Sequence, residues 1–104
     1  MYKMNKDYKK IVNSLKFEGR AFIDGKYVDA IDGEKFDNIN PATGEKLCTV
    51  SKCNHKDVDL AVKVSRKAFN SGVWSRTSPE FRKDVLLKFA ELLRKTGEEN
   101  SVLE

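Results

Sequence analysis

The spacing of apolar residues changes several times along this chain, and each change marks a different kind of element. Between residues 5 and 16, Tyr8, Ile11, Val12 and Leu15 fall at i, i+3, i+4 and i+7, which predicts a helix with one narrow apolar stripe. From Arg20 to Val50 the period becomes alternating. Phe22-Ile23 runs into Asp24-Gly25, a pair that accepts positive φ at both turn positions and so predicts a hairpin. Tyr27-Val28 follows, then a second turn at Asp32-Gly33 and an extended run through Phe36 and Ile39. Asn40-Pro41-Ala42-Thr43-Gly44 makes a third turn, and Leu47 to Val50 a further strand. The pattern predicts a small β-meander.

Helical spacing returns over residues 57–71. Val58, Ala61, Val62, Ala68 and Phe69 share one face, and Gly72 stands where a left-handed C-terminal cap is wanted. A loop with Trp74, the only tryptophan, leads to the clearest helix start in the chain. Ser78 can cap, Pro79 suits the first turn, and Glu80 complements the positive helix end. Phe81, Val85, Leu86, Phe89, Leu92 and Leu93 then make a wide apolar stripe that ends near Gly97. Glu98 to Glu104 begin another helical turn with no cap after Leu103, which favours a polypeptide that continues.

Composition narrows what such an arrangement can be. With 104 residues, 39% hydrophobic and 35% charged, one small domain at most is expected, without a large self-sufficient core. The net charge of +4 lies wholly in residues 1–20, where Lys3, Lys6, Lys9, Lys10, Lys16 and Arg20 face only Asp7 and Glu18. Residues 21–104 are balanced. Nucleic-acid binding needs a basic face on the folded domain, so it is not expected. The basic segment prefers Lys to Arg, contains acids and has no apolar region, so a surface helix suits it better than a targeting signal. Its stripe is too narrow and short for membrane attachment, and no apolar run reaches the length of about eighteen residues that a spanning helix needs. Cytoplasmic residence, with no membrane partner, is the expectation.

Candidate chemistry is sparse. Cys48, Cys53 and His55 are the only cysteines and histidine. A zinc site would have to take its fourth ligand from Asp57 or Asp59, and the simpler reading is two reduced thiols, one in a strand and one in a loop. Cys48 sits beside Leu47 and Val50 in an apolar strand. Cys53, between Lys52 and His55, is the better-placed thiol, yet no nucleophile motif surrounds it. The glycines (Gly19, Gly25, Gly33, Gly44, Gly72, Gly97) are too scattered for a phosphate-cradling loop. Asp57 and Asp59 open a helix, Asp24 and Asp32 sit beside turn glycines, and Glu98 and Glu99 start a solvated helix. No residue is assigned a catalytic, cofactor-binding or metal-binding role.

Several segments nevertheless occur together in a recognisable order. They are Phe22-Ile23-Asp24-Gly25-Lys26, Ile39-Asn40-Pro41-Ala42-Thr43-Gly44-Glu45 and Asp57-Val58-Asp59-Leu60-Ala61-Val62, then Ala68-Phe69, Gly72-Val73-Trp74-Ser75, and Ser78-Pro79 followed by Arg82. In order and spacing, the run from Phe22 to Glu104 resembles the aldehyde dehydrogenase superfamily. The resemblance implies an α/β fold class: the N-terminal part of a Rossmann-type cofactor domain, with an N-terminal helix, a small β-meander and two amphipathic helices. Residues 1–20 would be a basic helical extension, and residues 21–104 a truncated N-terminal portion of that cofactor-binding domain.

Members of the superfamily are homo-oligomers several times longer than this chain that oxidise aldehydes to acids with NAD or NADP. Their thiolate attacks the aldehyde, a hydride leaves to the nucleotide, and water releases the acid. The catalytic cysteine follows a Gly-Gln pair, and this chain has no glutamine. The general-base glutamate precedes Leu-Gly-Gly, and no Gly-Gly occurs here; the oxyanion asparagine sits in Pro-Trp-Asn, whereas Trp74 lies between Val73 and Ser75. The resemblance therefore implies scaffold, with no nicotinamide cofactor bound by this chain alone and the remainder of a dehydrogenase polypeptide as its partner. Backbone carbonyls that help hold a monovalent cation in some members would map to Asn38 and Ile39, where an ordinary strand end is the simpler reading. The Trp74-Ser75 loop, the Arg82-Lys83 pair and the helix ahead of Phe22 look most like the putrescine-utilising branch acting on γ-glutamyl-γ-aminobutyraldehyde, with the betaine-aldehyde branch close by. Three readings compete: an inactive fragment or split frame, a half that complements a separately encoded remainder, and an independent small binding or regulatory module.

Overall fold

A computed structural model of the chain describes residues 8–103. The first helix, α1, runs Tyr8–Ser14. Residues 5–7 of the expected helix, and the charges of Lys3, Lys6 and Asp7, lie outside the described residues. The elements that follow are β1 (Ala21–Ile23), β2 (Lys26–Val28), β3 (Lys35–Ile39), β4 (Lys46–Ser51), α2 (His55–Ser71), α3 (Pro79–Lys95) and α4 (Gly97–Leu103). This is the mixed helix-and-strand class expected. Two compact units emerge: one is Phe17–Thr77, the other combines the segments up to Lys16 and from Ser78 onward.

In the first unit β1 and β2 pair antiparallel, with Phe22 opposite Tyr27. Asp24 and Gly25 both take positive φ, 56° and 75°, as a two-residue turn of the right twist demands. The Phe22 and Tyr27 rings meet edge to face at 5.1 Å, and the Arg20 guanidinium lies 5.7 Å over Tyr27. Glu18 grips that guanidinium with both carboxylate oxygens, each accepting at 2.8 Å. The Arg20 side chain first, and its backbone N–H second, pull the Glu18 carboxyl down to about 2.

The strands β3 and β4 form a second antiparallel pair, from Lys35 opposite Ser51 to Asn38 opposite Cys48. Ile39 then faces Lys46, so Leu47 is the extra residue of a bulge. The strands thus make two separate pairs, with β2 and β3 not neighbours, where one continuous meander was expected. The physical reason lies in the link between them. The Ala30–Gly33 turn, closed by a 2.8 Å bond from the Gly33 N–H to the Ala30 carbonyl, is tied to the start of α2 through Asp32 and Ile31, so β3 does not fold back on β2.

Ahead of β1, Gly19 accepts a 2.8 Å bond from the Ser51 N–H, joining the segment before the first hairpin to the end of the second. The approach is so close that a Cβ at Gly19 would run into the Thr49 carbonyl.

The helix α2 begins at His55, two residues earlier than the apolar pattern indicated, because Asn54 caps it. The Asn54 side chain accepts from the Lys56 N–H at 2.9 Å, and Asp57 reaches back to accept from the Asn54 N–H at 2.9 Å, a capping box. At the other end Gly72 adopts the left-handed conformation, φ 78°.

In the second unit Ser78 caps α3, its hydroxyl accepting from the Phe81 N–H at 3.2 Å, with Pro79 at the first position, Glu80 in the first turn and Arg94 and Lys95 in the last. The last segment forms α4 over Gly97–Leu103 and packs against α1 and α3.

Both units are thin. Ala30 is the only buried hydrophobic residue among those described. On α2, Val62 is 61% and Phe69 65% exposed, and on α3, Phe89 is 58% exposed. Apolar faces have formed without anything to cover them.

Candidate functional site

The most ordered polar cluster surrounds the start of α2. Asp57, 3% exposed, accepts backbone N–H bonds from Ile31 at 2.8 Å and from Asn54 at 2.9 Å. Asp32 accepts from the Asn54 amide and the Lys56 ammonium, both at 2.7 Å. Bonds donated by Asn54 and Ile31 lower the Asp57 pKa below the usual carboxylate value; the Lys56 and Asn54 side chains do the same for Asp32. Carboxylates held in the ionised form with their oxygens engaged are poor proton shuttles near neutrality. The cluster is a clamp that fixes the Ala30–Gly33 turn to α2.

Sequence reasoning placed Asp57 and Asp59 at a helix opening but missed the clamp. The signal was Asn54 followed three residues later by Asp57, a capping box with the shorter acid in place of glutamate. Nothing local pointed to Asp32 as the partner of Lys56, since that pair is made by the fold.

The remaining sequence candidates are not brought together. Cys48 lies half-buried in β4 and Cys53 exposed in the link before α2, both as free thiols, and His55 is the first residue of α2. Among the described residues no group of three or more His, Cys, Asp or Glu could hold a metal ion. Asn38 and Ile39 sit at the register shift of the second hairpin.

Pyrophosphate recognition uses free N–H groups at a glycine-framed helix start. Here the first turns of α2 and α3 donate to their own caps, Asn54 and Ser78.

Two open grooves flank α2. One, of about 380 Å³, lies between the Asp24 turn and the helix, lined by Leu60, Val64 and Ala68 together with Lys63 and Lys67. The other, of about 390 Å³, is lined by Ala61, Val62 and Phe69, with the Arg66 guanidinium 5.8 Å from the Phe69 ring.

The clamp and the exposed apolar faces of α2 and of α3 name no reaction by themselves, and comparison with known proteins identifies the family. The family model described as "Aldehyde dehydrogenase family" matches residues 27–104. The chain belongs to the aldehyde dehydrogenase family. It is 45% identical over 100 residues to aldehyde dehydrogenase 1 of Tanacetum cinerariifolium, covering 96% of this chain and 20% of that protein. Among solved structures, the indole-3-acetaldehyde dehydrogenase of P. syringae, in complex with NAD+ and IAA, superposes with a TM-score of 0.88 at 44% identity over 93% of this chain and 20% of its own. The γ-glutamyl-γ-aminobutyraldehyde dehydrogenase of Burkholderia cenocepacia gives the same values. The chain thus spans about a fifth of the length of these relatives.

Proposed function

We propose that this chain is the N-terminal scaffold of a cytoplasmic, NAD(P)-dependent aldehyde dehydrogenase and oxidises no aldehyde on its own. One observation carries the reading: α2 and α3 present large apolar side chains to solvent, while Ala30 is the only buried hydrophobic residue among those described. Faces of that extent are normally covered, and the covering polypeptide is the remainder of the dehydrogenase, in an enzyme that is homo-oligomeric as a whole. Residues 21–104 serve as the opening of the cofactor-binding domain and residues 1–20 as a basic extension. The nucleotide, the nucleophilic thiol and the general base all belong to the remainder. For the substrate we put forward γ-glutamyl-γ-aminobutyraldehyde, and hence putrescine catabolism. The Trp74-Ser75 loop and the Arg82-Lys83 pair support it, as does 44% identity to the Burkholderia cenocepacia enzyme. Equal identity to the P. syringae enzyme makes indole-3-acetaldehyde the comparison substrate.

The test is a full-length chimera in which this chain replaces the matching stretch of the P. syringae dehydrogenase. With NAD+ the chimera oxidises aldehyde, whereas the purified chain shows no more turnover than its Cys48→Ser/Cys53→Ser double variant. Turnover by the chain alone above that control, or a chimera that folds without activity, would sink the proposal.

A further inference from the structure

Most lysines near the clamp and hairpins have acid partners: Lys35 with Asp29, Lys46 with Asp37, Lys52 with Glu34 and Lys56 with Asp32. Lys63 and Lys67 on α2 have none among the described residues. They stand one helical turn apart, where like charges repel, and both line the 380 Å³ groove beside Leu60, Val64 and Ala68. Asp24, on the same groove, offsets one of the two charges. The groove therefore combines an apolar lining with one uncompensated positive charge.

From this combination, and resting on the scaffold reading above, we infer that the groove between the Asp24 turn and α2 receives a segment of the remaining dehydrogenase polypeptide. In that segment apolar side chains flank a carboxylate, which pairs with Lys63 and Lys67. A small free acid is a poor occupant. The lysines are exposed, and an exposed ion pair holds a small ligand only weakly. A peptide segment adds apolar burial to the same pairing, and its cover strengthens the pair by removing water. The occupant is sought in the same enzyme because 93% of this chain superposes on only 20% of the P. syringae dehydrogenase, which leaves most of that enzyme's length outside the match.

Amine acetylation read by mass spectrometry, on the purified chain and on the active chimera, tests the inference. Lys63 and Lys67 should react freely in the chain and at least about tenfold more slowly in the chimera, a modest opening cost for a docked segment. In the chimera, Lys63→Glu/Lys67→Glu should lower the melting temperature by about 3 °C or more, and Lys63→Met/Lys67→Met by less. A Lys9→Glu/Lys16→Glu control of equal charge change, on exposed residues outside the groove, should leave it in place. Equal acetylation in chain and chimera, or equal melting of the reversed, neutral and control variants, overturns the groove inference while the scaffold reading stands. An inactive chimera overturns the scaffold reading itself.

Discussion

Two residues set the tightest constraints on this fold, and they act in different ways. Gly19 is required for close approach, since its own backbone accepts from Ser51 while a Cβ would strike the Thr49 carbonyl. Gly19→Ala should destabilise the chain by about 1–3 kcal/mol, the usual cost of overpacking against groups that cannot move aside. Urea unfolding followed by circular dichroism would check it, and an unchanged midpoint would mean the two segments are not in register as described. Asp57 acts through charge. Its folded-state pKa lies below the usual 3.8, as does that of Asp32. A carboxylate whose pKa is lower when folded stabilises above its unfolded value, and the contribution is lost as the pH falls through the folded value. Stability should therefore be flat near neutrality and decline below about pH 4. Asp57→Asn, measured by thermal melts across pH 2–7, should be less stable at neutral pH and show a shallower acid decline. A variant melting as the parent does at pH 7 would remove Asp57 from the clamp.

At the scale of elements, the caps decide where helices start. Ser78→Ala removes the acceptor for the Phe81 N–H and should cost about 1 kcal/mol, with Ser78→Asp close to neutral. An alanine variant as stable as the parent would show that Pro79 and Glu80 suffice to start α3. The helix α3 was legible in the sequence because cap, proline, acid and apolar period all agree there. The first hairpin was legible for a similar reason, as Asp24-Gly25 dictates the turn whatever lies around it. The split into two strand pairs was not legible. It depends on Asp57 capturing the Ile31 N–H and Asp32 capturing Asn54 and Lys56, contacts between residues more than twenty positions apart that leave no local period. The bulge at Leu47 was hidden too, since one extra residue in β4 does not disturb alternation strongly enough to be read. Of the candidate site, the exposed apolar stripes could be read from their spacing. The lysine-lined groove could not, because it needs the hairpin turn brought against the helix.

For the whole molecule, the scarcity of buried apolar side chains limits how well either unit stands alone. Burying one large apolar side chain is worth roughly 1.5–3 kcal/mol, and typical domains are stable by about 5–15 kcal/mol. With Phe22, Val62, Phe69, Phe81, Leu86 and Phe89 at half exposure or more, the purified chain should be marginally stable and should associate in a concentration-dependent way on size exclusion. A monomer melting sharply above about 60 °C would instead promote the independent-module reading. Calorimetric titration with NAD+ should give no saturable heat at millimolar concentrations, since the Lys56 N–H of α2 and the Phe81 N–H of α3 are already taken by their caps and no closely spaced glycines frame either start.

That Ala30 is the only buried hydrophobic residue among those described has a further consequence, visible in the exchange of backbone hydrogens with heavy water. Slow exchange requires amides that open only when a whole cooperative core comes apart. With an alanine as the only buried hydrophobic residue among those described, the described residues hold no such core, so their amides should exchange within a narrow range of rates, helices included. Set inside a full-length dehydrogenase, the same amides would come under the protection of the larger core. The slowdown, residue by residue along α2 and α3, would trace which of the now bare faces the rest of the enzyme closes over.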